Sequence, residues 1–267
     1  MLQLSGLHLN LQNSGIIRGN KKITSILVII PTYNEVENIV RIIPSIREVL
    51  IKNNISYQIL VVDDNSPDGT AGEVENMKKE DDQIYLLKRP GKLGLGSAYI
   101  DGFTWALSHL PFDIIVQMDA DFSHQPSDIV KLVRAIQKNT DVAVASRYIE
   151  SGSSNMWPWH RKLISKIANF LSHIMLGINV KDITSGFRAI RRKAAQELLK
   201  YQINASGYFY QVESLAIYKA IDLSIIEVPY VFEARLSGKA KLSIWEIFRF
   251  AGFLIKLSLS GVNLKEN

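Results

Sequence analysis

The sequence predicts an α/β fold, a mostly parallel, Rossmann-like sheet with helices on both faces. Three observations predict it. Five short runs are apolar throughout, as strands buried on both faces of a parallel sheet are. Stretches of helical period separate them. The resulting βαβα alternation covers a sheet on both sides. In order, the strands are SILVII (25–30), YQILVVDD (57–64), QIYLLK (83–88), DIIVQM (113–118) and DVAVAS (141–146). The helices between them are EVENIVRIIPSIREVL (35–50), GTAGEVENMKK (69–79), GLGSAYIDGFTWALSHL (94–110) and PSDIVKLVRAIQK (126–138).

Length and charge bound what such a fold can do. At 267 residues and 47% hydrophobic, the chain can bury a full core in one large domain, or in one domain with an appendage. The 31 Lys and Arg against 26 Asp and Glu leave +5 and a pI near 9.2, which favours anionic partners such as nucleotide, nucleic acid or acidic lipid. With no cysteine, a disulfide framework and a thiolate metal site are both excluded. The first twenty residues are broken by Asn, Gln, Ser and Gly before a leader-length apolar run can form, so residues 1–22 read as a flexible tail. Nowhere do about 18 uncharged apolar residues run together, and the chain is not expected to cross a bilayer by itself.

Ligands of such sheets bind beyond the carboxyl ends of the strands. There lie PTYNE (31–35), DDNSPDGT (63–70) and DADFSH (119–124). Each alone has an ordinary reading as a helix start, a turn or a cap. Three acidic clusters on one edge would repel one another, and a bound cation or a set of hydrogen-bond donors relieves that repulsion. Asp119 and Asp121 would point to opposite faces of a continuing strand, whereas a turn lets both approach one ion. Read as an oxygen-only donor set, they suit Mg²⁺ or Mn²⁺, and magnesium usually shares itself with substrate phosphates. A dinucleotide-binding dehydrogenase would carry G-x-G-x-x-G after the first strand, but PTYNE has no glycine, and no G-x-x-x-x-G-K-[ST] occurs. The glycines of RPGKLGLGSA (89–98) follow the third strand and open a helix, where backbone amides could cradle phosphate or simply form a pliant loop.

The motifs IPTYNE, VVDDNSPDGT, RPGKLGLGSAY, MDADFSHQP, SRY, WPWHRKLISKIAN, DITSGFRA, GYFYQVE and EVPYVFEARLSGKAKL occur in a characteristic order. From about Ile26 to Leu242 the sequence resembles the dolichol-phosphate (polyprenyl-phosphate) mannose synthases, family 2 glycosyltransferases of the GT-A fold. The resemblance implies a GT-A catalytic domain over 23–242 and transfer of mannose from GDP-mannose to dolichyl or polyprenyl phosphate. The transfer would be an inverting, metal-dependent displacement giving a β-linked product. Pro31, Tyr33, Glu35, Val62 and Asp64 would line the guanosine pocket. Asp119, Ala120 and Asp121 would hold the Mg²⁺ or Mn²⁺ and the donor diphosphate. Some relatives carry a further glutamine ligand where this sequence has Ser123, whose place a water could take. Arg147, Arg161, Ser165, Arg235 and Lys241 match positions that meet donor or acceptor phosphate, with Lys92 beside the donor. Asp119, Asp121 and Arg235 would carry the catalysis. Two alternatives stand beside this reading: a family 2 transferase using UDP-glucose or another donor on the same kind of lipid, and a non-catalytic module that binds a nucleotide sugar.

Two amphipathic segments address the lipid. RKLISKIANFLSHIMLGI, within an interface helix at about 160–176, carries Leu163, Ile164, Ile167, Ala168, Phe170, Leu171, Ile174 and Met175 on one broad face. The C-terminal segment 243–267 contains IWEIFRFAGFLIKLSLS, in which Glu246, Arg249 and Lys256 argue against spanning. Core helices show the same periodicity as either segment, but with a lipid substrate implied by the resemblance, Phe253, Leu254 and Leu257 are expected to face lipid. The expected partners are thus GDP-mannose, the polyprenyl phosphate and a membrane surface, with room for a small membrane-anchoring subunit and no nucleic acid. The expected location is the cytoplasmic face of a membrane, the endoplasmic reticulum in a eukaryote or the plasma membrane in a prokaryote.

Overall fold

The structure, a computed structural model, describes residues 25–137, 140–153, 159–203, 207, 209–232 and 244–260. Strands β1 (Ser25–Thr32), β2 (Ser56–Asp63), β3 (Ile84–Lys88), β4 (Ile114–Gln117) and β5 (Val142–Ser146) alternate with helices α1 (Val36–Lys52), α2 (Thr70–Glu80), α3 (Leu95–His109) and α4 (Pro126–Gln137). There follow α5 (Trp159–Leu176), β6 (Arg188–Arg191), α6 (Arg192–Leu198), α7 (Phe209–Ala220), β7 (Ile225–Pro229) and α8 (Ile244–Ser260). The sheet order is β3-β2-β1-β4-β6-β5-β7, parallel except for β6, which runs against both neighbours. All nine elements expected from the first half of the chain are present.

Alternation along β1 shows why its sequence is apolar without a break. Ile26, Val28 and Ile30 enter a core under α1 and α4, while Leu27 and Ile29 enter a second core under α3, α6 and α7. Both faces are sealed, so no polar residue is tolerated in the middle of the strand. Gly102 lets α3 approach closely, since a β-carbon there would lie 3.1 Å from Val62 Cγ2 and 3.2 Å from Ile29 Cγ2. The chain visits β2 and β3 on one side of β1 and then returns to place β4 on the other. The switch point therefore lies between the ends of β1 and β4, and this crevice positions the site.

The two amphipathic helices require a correction. Leu254 is fully buried and Leu257 nearly so, and both join the second core with Phe250 and Phe253 packed against it. Phe253 stacks on Phe209 of α7 at 5.0 Å, and α8 lies against α5. The lipid-facing assignment of Phe253, Leu254 and Leu257 does not hold, because periodicity identifies an apolar face without identifying what covers it. On α5 the broad apolar face divides. Leu171 and Met175 pack inward, whereas Leu163, Ile167, Phe170 and Ile174 are exposed. Among the described residues no helix is long and apolar enough to cross a membrane.

Candidate active site

Three loops at the carboxyl ends of β1, β2 and β4 build the site, and each contains a non-glycine residue in the left-handed region: Asn34 (φ 58°), Asn65 (φ 59°) and Phe122 (φ 60°). Asparagine tolerates this conformation, but for Phe122 it is strained and implies that the surroundings enforce the turn. The first two loops are tied together. The amides of Asn34, Glu35 and Val36 donate to Ser66 Oγ, Thr70 Oγ1 and Asp68 Oδ2 respectively, so the loop after β2 supplies acceptors for the start of α1. Beneath them the buried Asp63 accepts from Thr32 Oγ1 and from the amide and hydroxyl of Ser66. Burial works to raise the Asp68 carboxyl. The hydrogen bonds from Thr70 and Val36 outweigh it and hold that group below its ordinary value.

The glycine-rich loop is turned toward the protein's own carboxylate. Asp64 Oδ2 accepts from the amides of Leu93 and Gly94, both at 3.2 Å, and Asp64 Oδ1 pairs with the buried Arg89. Arg89 also reaches Asp101 and Ser97. Gly94, at φ 99°, makes the bend from which α3 starts. Two amides of this loop thus already serve Asp64, and Asp64 orders the loop beside the crevice. Val62, expected in the guanosine pocket, lies wholly in the core against Gly102 because it belongs to the inward alternation of β2. Lys92 lies over Tyr33, its ammonium 4.0 Å from the ring centroid. Pro31 and Glu35 are half-buried at the same edge.

After β4 the chain turns at Phe122, and the two aspartates end unequal. Asp119 keeps about a third of its side chain exposed, at 34%, whereas Asp121 is buried, with Oδ1 accepting from the Ser123 amide at 3.0 Å. Ala120 and Ser123 are buried with it. His124 lies in the same turn but is not placed as a metal donor. Its Nδ1 accepts from the Asp119 amide at 3.0 Å, which fixes the proton on Nε2, 4.0 Å from Asp119 Oδ2. The ring stacks on Phe187 at 4.8 Å. His124 therefore fixes the backbone at Asp119, whose carboxylate keeps partial exposure. Among the described residues no group of three or more acidic or histidine side chains forms a ready-made cage. Two carboxylates at a crevice fit a hard divalent ion such as Mg²⁺ or Mn²⁺ that takes its other oxygens from water and a diphosphate.

On the far side of the crevice, Arg147 and Ser165 are linked rather than separate. Arg147 donates from Nε and Nη2 to Asp182 and from Nη2 to Thr184 Oγ1. The Thr184 amide donates to Asn169 Oδ1, and Asn169 Nδ2 donates to the Ser165 carbonyl. Burial opposes the charge on Arg147, but Asp182 more than offsets it and holds the group above its ordinary value. The fork expected to meet phosphate is thus engaged by Asp182, which lies 35 residues away in the chain. Arg161 opens α5 with its side chain outside the described residues, where Arg235 and Lys241 also lie.

Sequence reasoning overlooked Arg89, His124 and Asp182, and also Arg188. Wholly buried, Arg188 donates to the carbonyls of Ile183, Ser185 and Gln211 and to Ser214 Oγ. Burial pulls it down to about 10, which leaves it charged at neutral pH. It locks the TSGF segment against α7, next to the Phe187 ring on which His124 rests. The signal was present in RPG, DADFSH and DITSGFRA, but each residue acts through a contact distant in sequence.

Residues 27–199 match the family model described as glycosyl transferase family 2. The chain belongs to glycosyl transferase family 2. It is 39% identical over 220 residues to a polyprenol monophosphomannose synthase of Mycolicibacterium smegmatis, covering 81% of this chain and 80% of that one. It is 38% identical to an undecaprenyl-phosphate mannosyltransferase of Micrococcus luteus, over 82% and 87% of the two chains. To a dolichol-phosphate mannosyltransferase of Pyrococcus furiosus it is 36% identical over 86% of this chain and 62% of that longer one. Among solved structures, glucosyl-3-phosphoglycerate synthase of Mycobacterium tuberculosis with Mn²⁺, UDP-glucose and glycerol 3-phosphate shares the fold at TM-score 0.63 and 20% identity, over 90% and 80% of the chains. Mannosyl-3-phosphoglycerate synthase of Rubrobacter xylanophilus does so at TM-score 0.63 and 18% identity, over 89% and 73%. The fold of this family 2 glycosyltransferase is GT-A, as the sequence predicts.

Proposed function

We propose that this glycosyltransferase transfers mannose from GDP-mannose to a polyprenyl or dolichyl phosphate at a membrane surface, with inversion at the sugar carbon. The observation that carries the reading is the Asp119–Asp121 turn at the switch point, in a chain whose curated relatives are named for mannosyl transfer to polyprenyl phosphates. Pro31, Tyr33 and Glu35, with Lys92 over the tyrosine ring, flank the guanosine. Asp64 acts on that pocket by holding the glycine-rich loop in place. A divalent metal, when bound, stabilises the charge that develops on the departing diphosphate. Asp119 and Asp121 hold it, with Ser123 keeping Asp121 in place through its amide, and neither serves as acid or base. None is needed: a phosphate monoester, with a second pKa of about 6, is already an anionic nucleophile near neutral pH. Its oxygen forms the bond to the sugar carbon as the bond from that carbon to the diphosphate breaks, and GDP leaves. Alignment is then the main task of the protein. Arg147, Arg161 and Ser165 are assigned to the acceptor side, and Arg235 and Lys241 to the phosphates. The exposed apolar face of α5 lies on the cytoplasmic face of the membrane, where the lipid acceptor is found.

A donor panel tests this. The full chain, given polyprenyl phosphate and a divalent metal, should form a lipid-extractable β-mannoside with GDP-mannose and far less product with UDP-glucose or other sugar nucleotides. Preference for UDP-glucose would overturn the donor assignment. Nucleotide-sugar binding without turnover of any donor would mark a non-catalytic module.

A further inference from the structure

Arg188, which locks the TSGF segment against α7, carries a charge that this packing role does not use. On β6 it pairs in register with Gln117, the last residue of β4, and so stands two residues before Asp119 on the neighbouring strand. Met118 continues the ladder to Ile29, so at about 4.8 Å between strands and about 3.3 Å per residue the Cα atoms of Arg188 and Asp119 are roughly 8 Å apart. The acceptors around its guanidinium are all neutral, three carbonyls and the Ser214 hydroxyl. Among the described residues no carboxylate lies within ion-pair distance of it. Asp182 is close enough to act on it, yet both oxygens of Asp182 accept from Arg147. That pair cancels, and Arg188 is left as an unneutralised cation in the wall behind the aspartate turn.

Taking an ion out of water costs several kcal/mol, and a neutral side chain could donate to carbonyls without that cost. What the charge adds is a field. Burial pushes the Tyr99 phenol well above its ordinary range, Asp119 adds to the rise and Arg188 opposes it, so one ring in the same wall feels both charges. Tyr99 and Arg188 are wholly buried, and the field between them is little screened by water. In front of this wall, the crevice has to admit a diphosphate beside two carboxylates. A fixed cation behind them lowers the repulsion that the anion meets, and it needs no rearrangement to do so.

We propose that Arg188 is a buried counter-charge that offsets part of the field of Asp119 and Asp121, so that the crevice accepts an anionic nucleoside diphosphate and holds its divalent ion less tightly. The inference rests on the assignment of Asp119 and Asp121 to one ion in the functional reading. Arg188 acts through charge at a distance and touches neither the donor nor the ion.

Two pairs of variants of the full chain separate charge from packing. Arg188→Gln removes the charge and Arg188→Lys keeps it, while both lose the fork. Ser214→Asp brings a carboxylate against the intact guanidinium, and Ser214→Asn matches its shape without the charge. GDP binding is measured by calorimetry in EDTA, and Mn²⁺ binding by electron paramagnetic resonance without nucleotide. Arg188→Gln and Ser214→Asp should bind GDP more weakly and Mn²⁺ more tightly, each by about fivefold, with Arg188→Lys and Ser214→Asn near the wild type. A purely structural role would weaken both ligands together and would show equally in Arg188→Lys and Ser214→Asn. That result, or unchanged affinities in Arg188→Gln and Ser214→Asp, would overturn the proposal. If the Arg188 variants do not fold, the Ser214 pair decides, since it keeps the guanidinium in place. Asp119→Asn tells the two assignments apart: were it to bind Mn²⁺ as tightly as the wild type, the shared-ion reading would fail. The GDP measurement would still decide on Arg188, with weaker binding in Ser214→Asp than in Ser214→Asn supporting the counter-charge and equal binding refuting it.

Discussion

The proposed sharing of one ion by Asp119 and Asp121 relies on the turn between them and α4, where Phe122 is held at a positive φ. The pair is asymmetric: Asp121 is fixed by the Ser123 amide, and Asp119 is aimed by its amide's bond to His124. Asp119→Asn and Asp121→Asn keep these acceptor geometries while removing charge from the crevice. Each should lower transfer on the order of a hundredfold or more with little change in melting temperature, measured side by side on the same preparations. Metal-dependent turnover at the wild-type rate in either variant would rule out the shared-ion role. A second residue carries a pH signature. Because Asp68 titrates below its ordinary 3.8, its tie to the start of α1 contributes stability fully present above that value and lost as pH falls through the folded-state value. Acid unfolding followed by circular dichroism should therefore be shallower at its low-pH end in Asp68→Ala than in the wild type. Identical acid profiles would deny the carboxylate this role.

Helix α8 shows what periodicity can and cannot decide. Its sequence announced an amphipathic helix correctly, yet Leu254 and Leu257 cover a core that includes α5 and α7 and do not face lipid. Leu254→Ala should destabilise the protein by about 2–5 kcal/mol, as buried leucine truncations do. Leu163→Ser with Ile167→Ser, on the exposed stripe of α5, should instead leave the melting temperature nearly unchanged and weaken vesicle binding. If Leu254→Ala melted normally and lost vesicle binding, the core assignment would fail. The same division runs through the rest of the chain. The strands and helices from β1 to β5 were legible because unbroken apolar runs and helical periods are local signals. β6 and β7 were not, since RAIR carries two arginines and IIEVP a glutamate and a proline, and their pairing with β4 and β5 is set by distant partners. Around the crevice, the placing of the acidic turns at the carboxyl ends of the strands was legible. The commitments of Asp64 to Arg89, of Arg147 to Asp182 and of Val62 to the core were not, because each depends on a neighbour that only the fold supplies.

At the scale of the whole molecule, the crossover that puts β2 and β3 on one side of β1 and β4 on the other brings the loops of residues 31–35 and 118–124 to one crevice. A nucleotide bound there touches segments whose ends belong to both halves of the sheet, so its binding energy should be felt as global stability. Ligand that binds only the folded state stabilises it by about 2.7 kcal/mol at a hundredfold excess over Kd, on the order of 5–10 °C in melting temperature for a chain of this size. In the proposed site Asp119 and Asp121 supply only part of a metal's oxygens, so GDP and the ion should each complete the other's site. GDP with Mg²⁺ or Mn²⁺ should then raise the melting temperature well beyond the sum of the two added singly. In Asp119→Asn and Asp121→Asn the cooperative increment should vanish while any shift from GDP alone persists. Thermal scans of the wild type and both variants, with nucleotide and metal separately and together, decide it. A shift from GDP that ignores the metal, or an increment retained in both variants, would place the ion elsewhere or show that nucleotide binding does not require it.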